Sequence, residues 1–333
     1  MTTKSATGAE AAVRALGQPS TLEIRPRYEG SNICTWIGFK HVNYLVEEAV
    51  LNHVRGAGLA PGTMYEVHGL CTDIVDIDTR ILHAFHIDDT ATAHVRPHRR
   101  AKDGELLLAV ELHVERESAL KAVTSTVRLQ LRHDPRGGGE LPVPAALRPY
   151  TVDRLAARPG WTPEPPGADP SADDLVKELT AGRNAYAWKF RIPYWYCHFT
   201  ERLQMSGYLR LMEEAKDRLV ADRGVSIKTL LDERNWIPVV PHSRITVLDE
   251  ARMEEDLYTV LTVEDVFKGF TYTSRMDTYV VRDGELIQTS TGRITHGYAV
   301  IENRRDWSLV AFDDRMNAAL KGRSPAAAGG RPV

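Results

Sequence analysis

Apolar residues recur at helical spacing in two stretches far apart on the chain, and the other patterns arrange themselves around these two. In the first, about Trp36 to Gly56, Phe39, Val42, Leu45, Val46, Ala49, Val50 and His53 outline a wide apolar face, and Gly58 follows its end. In the second, about Met205 to Ala221, Leu209, Met212, Ala215 and Leu219 form one face. Arg210, Glu213, Lys216 and Asp217 form the other, and Gly224 supplies the stop. Each stretch follows a short run, TLEIRPRY or WKFRIPYWY, that reads as a strand. Each also leads into β-rich runs separated by charged or glycine-containing turns. After the first helix these are TDIVDIDTRILHAF, DTATAHVRPHRR, ELLLAVELHVERES and ALKAVTSTVRLQLR. After the second they are WIPVVPHSRITVLD, DLYTVLTVEDVF, FTYTSRMDTYVV and LIQTSTGRITHGYAVI. One long helix followed by antiparallel strands makes an α+β unit, because a helix with so broad an apolar face needs a sheet to cover it.

The plan occurs twice in register. Glu48 and Glu214, Asp89 and Asp256, and the tripeptides Thr124-Ser125-Thr126 and Thr289-Ser290-Thr291 recur in order at an offset of about 166 residues, which points to duplication of one unit. Two such units would pair with their sheets joined edge to edge, so that fewer strand edges stay open. Between them lies a Pro- and Gly-rich connection, PRGGGELPVPAALRPYTVDRLAARPGWTPEPPGADP, with a short helix expected in ADDLVKELTAG. The expected division is a flexible N-terminus over 1–20, a first unit over 21–134, a linker over 135–185, a second unit over 186–320 and a disordered tail over 321–333.

Composition narrows the partners. The 333 residues carry 42 Lys and Arg against 45 Asp and Glu, a net charge of -3, so no global field marks a nucleic-acid binder. The cluster Arg96, His98, Arg99, Arg100 and Lys102 reads as a solvated loop between strands. The three cysteines, Cys34, Cys71 and Cys197, show no paired or metal-type spacing, which fits a reducing cytoplasm without disulfides. The first residues lack an apolar signal core and no run reaches the length of a membrane span, so a cytoplasmic protein without a membrane partner is expected. His83, His86, His94 and His98 lie along strands and turns without a helical HxxxH, so no metal and no cofactor is expected.

Polar residues of catalytic type stand directly before the second helix, where free amides and the helix dipole favour developing negative charge. His198, among Tyr194, Trp195, Tyr196 and Phe199, is either a proton-transferring group or a hydrogen-bonded core histidine. Glu201 is either a base or an acid that stabilises the dipole, and Arg202 either a surface ion-pair partner or a phosphate ligand. Glu214 stands beside Glu213, so one of the two faces solvent while the other is buried against the opposite unit. In the first unit His41, Asn43 and Glu48 outline a second site, either vestigial or substrate-lining. The apolar face of the first helix leaves room for an aliphatic ligand between Val42, Val46, Val50 and the strands about Ile74 to Ala84.

The segment RPRYEGSNICTWIGFKHVNYLVEEAVLNHVRGAGL resembles the opening of acyl-acyl-carrier-protein thioesterases through Arg27, Tyr28, Glu29, Glu48, Leu51, Asn52, His53, Val54, Gly58 and Leu59. The likeness extends, more by architecture than by identity, over about residues 21 to 302. It implies a double hotdog, two tandem units in which an antiparallel sheet wraps a central helix. It also implies an acyl thioester substrate on acyl carrier protein or coenzyme A, as in fatty-acid or polyketide metabolism, and leaves a homodimer open. That family carries an Asp-x-Asn-x-His-Val-Asn-Asn motif before a Tyr and a later Glu. Alignment on Tyr208 and Glu214 makes Tyr208 a substrate-site residue and Glu214 a catalytic one, and puts His198 at the Asp, Thr200 at the Asn and Arg202 at the His. The usual acid is therefore absent. Three readings stay open: hydrolysis with His198 or Glu201 as the base; dehydration, isomerisation or acyl transfer with His198 or His41 handling a proton; and acyl-thioester binding without catalysis.

Overall fold

The computed structural model describes residues 2–137, 139–156, 167–198, 200–300 and 308–322. In chain order the elements are α1 (Thr2–Leu16), β1 (Ser20–Ile24), α2 (Phe39–Gly56), α3 (Pro61–His68), β2 (Leu70–Ile81), β3 (Ala91–Pro97), β4 (Leu106–Glu115), β5 (Ala119–His133) and β6 (Thr151–Val152). They continue with α4 (Leu175–Thr180), β7 (Ala185–Arg191), α5 (Met205–Asp222), α6 (Ile227–Arg234), β8 (Trp236–Val247), β9 (Asp256–Phe267), β10 (Thr271–Arg282), β11 (Glu285–Val300) and α7 (Asp314–Leu320).

Ten of the strands form one path, β1-β3-β4-β5-β2-β8-β11-β10-β9-β7, antiparallel throughout, and β6 adds to β5 in parallel. The order reads the same from both ends once each strand of the first half is exchanged for its counterpart in the second. The centre is the junction of β2 with β8, where Asp76 to Arg80 face Thr246 to His242. The molecule is thus an α+β protein with two halves of like topology, sharing one sheet edge to edge.

The helical faces pack as their spacing predicts. Val42, Val46 and Val50 of α2 are fully buried, as are Met212, Ala215 and Leu219 of α5, and each of these side chains larger than alanine contributes about 1.5–3 kcal/mol by leaving water. Both helices end where glycine was read as the stop, with Gly58 at φ 86° and Gly224 at φ 73°. The aliphatic tunnel expected beside Val42, Val46 and Val50 is instead packed core, because β2 and α5 already fill that face. Two further helices, α3 and α6, lie at matching places behind α2 and α5 and carry too few apolar positions to stand out in the sequence.

The N-terminus departs from expectation. The small, polar composition of residues 1–20 predicts a flexible segment, yet α1 is helical and buries Ala9, Ala12 and Leu16. A buried histidine ties it down: His53 Nε2 donates to the Leu16 carbonyl at 3.2 Å, and its Nδ1 lies 2.8 Å from Ser20 Oγ. The expected tail over 321–333 lies outside the described residues except for Lys321 and Gly322, and the linker is outside them over 157–166. No helix among the described residues is long and apolar enough to cross a membrane.

Candidate functional site

The start of α5 faces the middle of α2, and an open cleft of about 590 Å³ lies between them. Its floor is Leu22, Ile24 and Leu45, since the alternation of β1 turns Leu22 and Ile24 toward α2. Its polar walls come from both halves: His41, Tyr44 and Glu47 from α2, and His198, Ser206 and Arg210 from the second unit, with Arg25, Arg27 and Arg55 also lining it.

These groups form a connected array. Tyr44 Oη donates to the Ser206 carbonyl at 3.2 Å and accepts from Arg210 Nε at 3.3 Å. The Arg210 guanidinium also lies 5.6 Å above the Tyr196 ring, and His41 packs edge-on against Tyr44 with centroids 5.1 Å apart. His198 stands in the left-handed region at φ 47°, which turns its ring back over the helix start so that Nε2 meets Ser206 Oγ at 2.8 Å. The amides of Met205 and Ser206 precede the first intrahelical bonds, which run from Gly207 and Tyr208 to the Gln204 carbonyl, and Gln204 supplies no side-chain cap. Among the described residues neither amide has a partner, and both stand at the positive end of the helix dipole.

The titratable groups are shifted in useful directions. Burial, reinforced by the neighbouring charge of Glu48, raises Glu47 from 4.5 to about 7, and its carboxylate has no hydrogen-bond or ion-pair partner among the described residues. Crowding of the His198 ring, with Arg210 adding to it, lowers its pKa although the residue keeps solvent contact. Burial followed by Lys40 lowers that of His41. Both imidazoles are thereby biased toward the neutral, proton-accepting form.

Only part of the expected site is assembled here. His41, His198 and Glu48 line the cleft, Glu48 at its rim in an ion pair with Arg55 at 3.4 Å. Glu201 points away, into an exposed ion pair with Arg136. Glu214 is held in an i,i+4 pair with Arg218 on the solvent side, while its neighbour Glu213 reaches Lys40 of α2 at 2.7 Å. The two thus take different partners, but neither is buried as expected, their side chains being 33% and 39% exposed. Arg202, a candidate phosphate ligand, is buried, with Asp73 at 2.8 Å and Asp134 at 3.2 Å on its guanidinium, so no donor pair is left for a phosphate. Asn43 is likewise structural: its amide donates to the Phe39 carbonyl and Ser243 Oγ, and its oxygen accepts from Thr79. Val46 and Tyr208 lie wholly in the core rather than against the cleft, and burial pushes Tyr208 upward in pKa. Cys197 is buried too, and its thiol is pushed up to about 11, far from a reactive thiolate.

Glu47, Tyr44, Ser206 and Arg210 are the residues that sequence reasoning passed over. A signal for Glu47 exists in the repeat of Glu47-Glu48-Ala49 as Glu213-Glu214-Ala215. Glu213, at the corresponding place on α5, lines a smaller pocket of about 80 Å³ at the start of α2, with Lys216, Trp36 and the fully buried His296. The two helix starts are thus related in position but carry different chemistry.

No family model and no curated protein matches the sequence. Solved structures match in fold, and several of them are thioesterases. A Lactobacillus plantarum protein assigned as an oleoyl thioesterase superposes with a TM-score of 0.55 at 11% identity, over 84% of this chain and 95% of that one. The 12:0-acyl-carrier-protein thioesterase of Umbellularia californica gives 0.53 at 11% identity, over 84% and 96%. An acyl-carrier-protein thioesterase of Bacteroides thetaiotaomicron gives 0.51 at 7% identity, over 86% and 99%.

Proposed function

We propose that this chain is a tandem double hotdog acting as an acyl thioesterase, with its active site in the cleft between α2 and α5. The observation that carries the reading is Glu47: a carboxyl with a pKa of about 7 and no partner among the described residues, in the cleft that an uncapped helix start also lines. Thioester hydrolysis needs a base that is part ionised near neutrality and donors aimed at the developing oxyanion. Glu47 provides the first, and the Met205 and Ser206 amides the second. Arg210 and Tyr44 hold the helix start against α2. Arg25 and Arg27, exposed on the rim, suit the phosphate of a phosphopantetheine arm, the role Arg202 cannot take. The substrate is then an acyl group on acyl carrier protein or coenzyme A.

Incubation with a panel of acyl-carrier-protein and acyl-CoA thioesters, followed by mass spectrometry, tests the reading. Free acid and free thiol are expected from at least one member. Dehydrated or unchanged thioester across the whole panel overturns it.

A further inference from the structure

We propose that hydrolysis proceeds through an acyl-enzyme in which Ser206 is the nucleophile and His198 its base. The proposal rests on the thioesterase reading and adds a covalent intermediate to it. Ser206 Oγ lies 2.8 Å from His198 Nε2, and both side chains line the cleft that holds Glu47 and Arg210. With the imidazole proton on Nδ1, the hydroxyl donates to Nε2, as a serine nucleophile does to its base. Ser206 is the second residue of α5, so the oxygen that attacks and the amides that would hold the oxyanion sit on one helix start.

A purely local role explains the pair less well. A serine at a helix start ordinarily turns its hydroxyl onto a backbone amide, whereas this one engages an imidazole eight residues earlier. That contact requires His198 to hold a left-handed backbone, an arrangement disfavoured for a residue with a side chain. Crowding, with Arg210 adding to it, lowers the ring's pKa and so favours the neutral form that accepts a proton. The start of α2 supplies an internal control. There the places corresponding to His198 and Ser206 are Asn32 and Lys40, and Lys40 is committed to Glu213. The nucleophile and base pair belongs to one of the two helix starts.

The steps balance. The Ser206 hydroxyl proton passes to His198 Nε2 as Oγ bonds to the thioester carbonyl carbon. The C–S bond breaks, and the thiolate takes the proton from His198 and leaves as thiol. The resulting acyl-serine ester is then attacked by water, which gives its proton to Glu47. The ester C–O bond breaks, Ser206 Oγ takes back the proton that Glu47 accepted from water, and the carboxylic acid leaves.

The experiment is intact-mass analysis of acid-quenched reactions with the thioester that the wild-type protein cleaves fastest. Glu47→Gln should accumulate an adduct of the acyl mass, mapping to the peptide that contains Ser206, because acylation persists while deacylation is blocked. Ser206→Ala should show no adduct and lose 100-fold or more in rate. Ser206→Cys, which keeps a nucleophile in place, should still form the adduct. Failure of Glu47→Gln and Ser206→Cys alike to form an adduct, or retention by Ser206→Ala of more than half the wild-type rate, overturns the acyl-enzyme and leaves the thioesterase standing. A wild-type protein that cleaves no thioester overturns both.

Discussion

Burial raises the Glu47 pKa from the ordinary 4.5 to about 7, so between those values the unfolded chain releases a proton that the folded chain keeps. The folded state is then penalised as pH rises: the penalty is absent below about pH 4.5 and complete above pH 7. Glu47→Gln should therefore be more stable than wild type at pH 8, by about 1 to 3 kcal/mol, and equal to it near pH 4, as read by urea denaturation at the two pH values. As the base, Glu47 acts in its ionised form, so the wild-type rate should climb with pH through about 7. The same Gln variant should lose roughly 100- to 10,000-fold in rate. His198→Ala should fall by a similar factor, whereas Glu201→Gln should stay within about twofold, since its carboxylate answers only Arg136 at the surface. Steady-state kinetics on one thioester separates the three.

At the scale of elements, α5 sets the geometry and Gly292 of β11 lets it approach the sheet. A Cβ built there would stand 2.6 Å from the Arg244 carbonyl oxygen and 2.6 Å from Met212 Cε. The first contact is backbone in the adjacent strand β8, so the sheet itself must shift. Gly292→Ala should cost about 1 to 3 kcal/mol, the usual range for overpacking, measured as a lower denaturation midpoint with an unchanged slope. Gly207 serves the same end at the start of α5, where a Cβ would meet Leu203 Cδ1 at 2.5 Å and Tyr196 Cδ1 at 3.0 Å. It allows the turn that carries His198 to lie directly on the helix.

At the scale of the whole molecule, the two halves are held by polar contacts as well as by the β2–β8 ladder. Arg244 reaches Asp76 at 2.7 Å, His242 reaches Asp78 at 2.8 Å, and Asn43 bridges Thr79 and Ser243. Arg202 is buried too, with both its carboxylate partners in the first half. Deleting it leaves Asp73 buried without its counter-charge, so Arg202→Ala should cost about 3 to 5 kcal/mol. Chemical denaturation followed by a probe in each half should show both transitions moving together, because the lost contact spans the junction.

The elements were legible in the sequence because each depends on local spacing. The apolar faces of α2 and α5, the glycine stops at Gly58 and Gly224, and runs such as Asp256–Phe267 follow from side-chain period and backbone preference within a few residues. Even the doubling of the plan could be read from recurring residues. What one sequence could not decide is which polar residue on a helix faces which partner. Glu47 and Glu48 are neighbours, and the step of about 100° between them puts one in the cleft and the other on its rim. Arg202 is buried only because Asp73 and Asp134 arrive from 129 and 68 residues away. His198 meets Ser206 only because its backbone turns left-handed. Periodicity determines the face that enters the core. The crossing of α2 over α5 and the join of two sheets decide which groups meet outside it, since those contacts lie between segments with no shared spacing.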